Sequence, residues 1–183
     1  MTKAFRYLAF LLFIFFQLSF LLAIFYEELN TYWILIFIAV ISLLISVGYY
    51  NVTHAEEKHF IQDCFLIFFV VTGALGTYYI STTLKLGPVI AASGVGFLAS
   101  FIPIINQKSP ILKESPEAIY CGAFVGMTAP QVASGLSFIL FAGFITGVIL
   151  LLSKNVFNGF GGKLGTIAFG GVALTSLAIF LIF

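Results

Sequence analysis

Residues 60–80 read FIQDCFLIFFVVTGALGTYYI, and beyond Asp63 no charged side chain appears until Lys85. A helix needs roughly 20 mostly apolar residues to cross the hydrocarbon core of a bilayer. This stretch meets that length, carries Asp63 in its first turn and closes on Tyr78 and Tyr79, aromatic rings of the kind that favour the headgroup level. It predicts a transmembrane helix.

The rest of the 183-residue chain repeats the pattern. The sequence is 61% hydrophobic and 8% charged, whereas a soluble domain is about a quarter charged. So few charges cannot cover a water-facing surface, and the natural solvent is lipid. The expected fold class is an all-α integral membrane protein, a polytopic bundle of about seven transmembrane helices forming one domain over 1–183. The segments are 7–26, 32–50, 60–80, 86–105, 117–130, 132–152 and 164–183. Lys3 and Arg6 precede the first, but its apolar run is about twice a signal core and no cleavage site follows, so it reads as a retained helix.

The separators hold nearly all the charge. The fifth segment is short and lies between Pro116 and Pro130; it reads either as a span or as a re-entrant hairpin. The positive-inside rule arbitrates. If it spans, Lys3, Arg6, Lys58, Lys108, Lys113, Lys154 and Lys163 face the cytoplasm and only Lys85 faces out. If it re-enters, Lys154 and Lys163 move outside. The cleaner split favours seven spans, with the amino terminus cytoplasmic and the carboxyl terminus outside. The lean loops and lack of targeting signals point to a bacterial inner membrane. On this topology the sequon Asn51-Val52-Thr53 lies on the cytoplasmic side and goes unused.

Segments one and two are bulky and read as lipid-facing. From residue 72 onward small residues recur at helical spacing: Gly122 with Gly126, Gly143 with Gly147, Ala92 with Gly96, and Gly171 with Thr175. Such spacing lets helix backbones approach closely, so segments three to seven form the expected compact bundle. Exposed ridges of this kind would also support self-association or packing against a partner membrane subunit.

Lys85-Leu86-Gly87 opens segment four and Lys163-Leu164-Gly165 opens segment seven. Similar Ile-Ala and Gly-Val pairs follow each triplet, and Thr72-Gly73 and Thr146-Gly147 sit at matching points of the preceding helices. Segments two to four and five to seven then read as an inverted 3+3 repeat with one extra amino-terminal helix. That plan is common in secondary transporters, whose sites lie near the midplane.

Three regions could carry chemistry. The glycine-rich approach to Lys163 offers a helix start and a positive charge to an anion, or is a flexible turn with Lys163 snorkelling to the headgroups. Leu164 stands where a P-loop needs Ser or Thr, so that motif is excluded. The stretch from Tyr120 to Pro130 carries Gly122, Gly126 and Thr128, with Gln131 following; a broken helix there would line a watery cavity or form a tight hairpin. His54, Glu56, Glu57 and His59 show no recognised ligand spacing and read as a solvated face, while Asp63 in the first turn of segment three reads as a functional candidate at the membrane edge or as a helix cap that reaches water. Cys64 and Cys121 form neither a disulfide framework nor a zinc pattern, and read as small buried hydrophobes. No acid, lysine or arginine is expected in the middle of a helix.

These features predict a small membrane transporter or channel for a small polar solute or ion, acting without metal, cofactor or nucleic acid, and not an enzyme. The expected binding residues are Thr72, Lys85, Gly87, Gly122, Gly126, Thr128, Gln131, Thr146 and Lys163. The lysines would attract the solute, the hydroxyls and Gln131 would replace its hydration shell, and the glycines would make room. The alternative is a structural or accessory subunit of a larger membrane complex.

Overall fold

A computed structural model describes residues 60–153 and 162–182, together with scattered positions between 11 and 43. Those scattered positions are helical, and Leu11, Phe15, Leu22, Trp33, Phe37 and Leu43 among them are exposed. The sequon, the histidine cluster, Lys154 and the run 155–161 lie outside the described residues, as does the side chain of Asp63. The chain divides into two compact units, Met1–Glu57 with Ser153–Gly161 and Lys58–Leu152 with Gly162–Phe183.

The elements of the second unit are α1 (Phe60–Thr82), α2 (Pro88–Ala99), α3 (Ile102–Ile105), α4 (Pro110–Gly126), α5 (Leu136–Ser153, its last residue in the first unit) and α6 (Lys163–Ile182). No strand occurs among the described residues. Four stretches are long and apolar enough to cross a membrane: Cys64–Thr82, Pro88–Ile105, Leu136–Ser153 and Lys163–Ile182. They correspond to the third, fourth, sixth and seventh segments read from the sequence.

Prolines set the helix limits. Pro88 starts α2, where its missing N–H is not needed and its φ suits a helix. Pro103 cannot donate to the Ala99 carbonyl one turn back, and the helix breaks at Ser100 and Phe101. At the break the Ser100 hydroxyl turns back into α2, donating to the Phe97 carbonyl at 2.6 Å.

The fifth segment departs from its sequence-based limits of 117–130. The helix starts at Pro110, includes Lys113, Glu114 and Glu117, and stops at Gly126. Pro116 lies inside it. That proline leaves the Leu112 carbonyl without its helical donor, and the buried Ser115 hydroxyl donates to that carbonyl instead, at 3.0 Å. Hydroxyl side chains re-satisfy carbonyls freed by proline in apolar surroundings, so Pro116 is tolerated at a position that reads as a boundary in the sequence. Beyond Gly126 the chain turns through residues 127–135 before α5.

The closest packing joins α1 to α4 through backbone. A methyl added at Gly122 would strike the Val70 carbonyl oxygen, one at Gly73 the Ile119 carbonyl oxygen, and one at Gly126 the Ala74 carbonyl oxygen. Gly122 meets Val70 and Ala74 while Gly126 meets Ala74, Thr77 and Tyr78, so α1 and α4 run in the same direction. Gly143 faces Val71 and Ala74, and Gly147 faces Ile67, so α5 runs opposite to α1. α6 meets α5 where Gly171 lies against Thr146. The ridges expected from the glycine spacing are therefore contacts within the chain. α2 turns Val89, Ile90, Phe97 and Leu98 outward and buries only small residues, Ala91, Ala92 and Ala99.

Candidate functional site

Among the described residues a buried charged side chain, Lys163, lies where α6 begins. Gly162, with φ +83°, turns the chain into the helix. The amide and the hydroxyl of Thr166 both bond back to the Gly162 carbonyl, at 3.0 and 3.2 Å, and close the first turn. Lys163 is the first helical residue and is only 8% exposed. A lysine seldom goes so deep unless its charge is matched.

This first turn meets the body of α4 rather than one of its ends. The Cys121 thiol, fully buried, points its sulfur at the Leu164 carbonyl at 3.6 Å. One helical turn earlier on the same face of α4 stands Glu117. Glu117, exposed, thus lies in the middle of a helix, which corrects its placement in a separator and the expectation that no acid stands in mid-helix. Glu117 reads as a loop residue in the sequence because charge is the loop signal there, and because Pro116 hides the extension of α4.

The residues expected to bind solute do not form one cluster. Thr72 is exposed, its hydroxyl donated to the Phe69 carbonyl at 2.9 Å. Lys85 and Gly87 lie in the link between α1 and α2, both with positive φ, 53° and 82°. Thr128 closes the end of α4, its hydroxyl donating to the Val125 carbonyl at 2.6 Å. Gln131 is exposed in the turn beyond it, where the Val132 and Ala133 amides bond to the Ala129 carbonyl. Because α1 and α4 share a direction, the links holding Lys85, Gly87, Thr128 and Gln131 extend from the same end of that pair. Gly122 and Gly126 are buried in the α1–α4 crossing and Thr146 in the α5–α6 contact. Their surroundings are helix backbone. Of the nine, Lys163 is the residue that falls in the α4–α6 contact.

The two members of the candidate repeat have different settings. Thr72 is exposed and Thr146 fully buried. Lys85 is an exposed loop residue with left-handed backbone, whereas Lys163 is a buried helix residue. Sequence reasoning missed Ser115, Thr77 and Glu117. Ser115 directly before Pro116 was a readable signal, since a hydroxyl beside an intrahelical proline has a carbonyl to serve. Among the described residues no group of three His, Cys, Asp or Glu side chains could hold a metal ion. No family model, no curated protein and no solved structure matches the chain.

Proposed function

We propose that the chain is a small membrane transporter or channel for a small polar solute or ion, built on seven spans with the amino terminus cytoplasmic. The observation that carries this reading is the burial of Lys163 at the first turn of a helix long enough to cross a membrane. Ionisable groups at membrane depth are costly and mark solute pathways, relays or sensors. A cation at a helix start adds to the positive end of the helix dipole rather than opposing it. Together they favour an anionic group, from the solute or from the chain's own carboxylates. The shared direction of α1 and α4, with α5 opposed, agrees with a chain that alternates through segments three, five and six. The inverted repeat remains part of the proposal through its matching triplets at Lys85 and Lys163.

The accessory-subunit reading rested on ridges left open for a partner. Gly122, Gly126, Gly143, Gly147 and Gly171 are buried against helices of the same chain, which lowers its appeal. Among the described helix glycines, Gly94 and Gly165 have no neighbour against the position of an added methyl.

The test is thermal unfolding of the purified protein against chloride, phosphate, acetate, amino acids and sugars. A ligand that binds only the folded state at a hundredfold excess over its dissociation constant stabilises it by about 2.7 kcal/mol. A shift from one chemical class, lost in Lys163→Ala, is expected. No shift from any class, in a protein that folds well and co-purifies with a fixed membrane partner, would transfer the assignment to an accessory subunit.

A further inference from the structure

Two buried hydroxyls, those of Thr77 and Thr146, have no hydrogen-bond partner. An orphaned hydroxyl in apolar surroundings is costly, and each case calls for a physical reason. The two differ in setting. Thr77 lies in the α1–α4 crossing, where backbone meets backbone at Gly73, Gly122 and Gly126 and leaves the helices no room to slide. Thr146 lies between α5 and α6, and here the contact is a side chain against a glycine. Its hydroxyl rests on Gly171, so closely that a methyl on Gly171 would not fit. No water fits between them either.

An acceptor stands nearby. Thr175, one turn further along α6, is buried, and its hydroxyl donates to the Gly171 carbonyl at 2.8 Å. A hydroxyl that has given its proton away still accepts through its oxygen. The α5–α6 contact thus holds a sealed donor without an acceptor and, about one turn of helix away, a sealed oxygen able to accept.

We propose that this contact is a two-position joint. In the position described, Thr146 rests on Gly171 and the interhelical bond is unmade. In the other, α6 shifts against α5 until the Thr146 hydroxyl donates to the Thr175 oxygen. Gly171 permits the movement because it puts no side chain in the way. The first turn of α6 is seated on Cys121 of α4 through the Leu164 carbonyl, so a shift of α6 lifts it from that seat and uncovers the thiol. The joint goes beyond the transport reading and holds equally for an accessory subunit.

Cys121 is therefore a native reporter. The experiment follows its reaction with N-ethylmaleimide in lipid nanodiscs, in a Cys64→Ser background that removes the exposed thiol. Thr146→Val keeps the side-chain shape and deletes the donor; Thr175→Val deletes the acceptor. Slow but measurable labelling is expected in the parent. Each valine variant should slow it about tenfold, the population effect of one buried hydrogen bond, and the double variant should be no slower than either single. Thr146→Ser retains the donor and should label at least as fast as the parent. Equal rates in the parent and Thr146→Val, no labelling of Cys121 in the parent, or slowing by Thr146→Ser would each overturn the joint.

Discussion

At Gly122 one hydrogen atom decides whether two helices meet. The Val70 carbonyl occupies the space a methyl would need, and a backbone carbonyl inside a helix cannot step aside. Gly122→Ala is expected to cost about 1–3 kcal/mol, the usual range for overpacking. Gly94→Ala is the control: nothing lies near that position, and alanine suits a helix better than glycine by roughly 0.8–1 kcal/mol. Unfolding midpoints in detergent should move in opposite directions for the two. Lys85 is a different residue-scale case. It holds φ at 53° without being glycine, at a cost of about 1–2 kcal/mol. Lys85→Gly should recover part of that.

Helix α4 is the element on which sequence and structure part. Its extension to Pro110 was hidden because two ordinary signals, a proline and a charge cluster, both read as loop. The structure keeps the helix going because Ser115 supplies the donor that Pro116 lacks. Ser115→Ala should therefore destabilise by about 1–3 kcal/mol, the cost of leaving the Leu112 carbonyl unsatisfied. Adding Pro116→Ala restores a backbone donor to that carbonyl, so the double variant should regain most of the loss. A double variant no more stable than Ser115→Ala would mean that Leu112 is satisfied in some other way. The four stretches Cys64–Thr82, Pro88–Ile105, Leu136–Ser153 and Lys163–Ile182 were legible because their signal is length and hydrophobicity, which tertiary context does not alter. Gly122 and Gly126 were legible as a ridge, yet not as the partner of Val70 and Ala74, since spacing within one helix says nothing about which helix it meets. The candidate site was less legible for the same reason: Lys163 was singled out by its glycines, while Cys121 needed the fold to bring it to the first turn of α6.

At the scale of the molecule, the proposed seven spans make a prediction about sidedness. Reporter domains active only outside the cytoplasm should work when fused after residue 183 and when inserted beside Lys85, and should fail when inserted beside Lys108. Activity at all three positions would remove the alternating topology, and with it the inverted repeat. The parallel pairing of α1 and α4 reaches further than packing. These helices are not neighbours in the chain; α2 and α3 are made between them. At synthesis rates of about 5–20 residues per second, α1 waits several seconds in the membrane with Gly73 and Ala74 lacking the surface they fit. Its final neighbour, α4, is made later. Assembly of this protein thus includes an interval in which a half-made bundle can be claimed by insertion factors or by quality control, and the length of the α2–α3 segment is the clock that sets it.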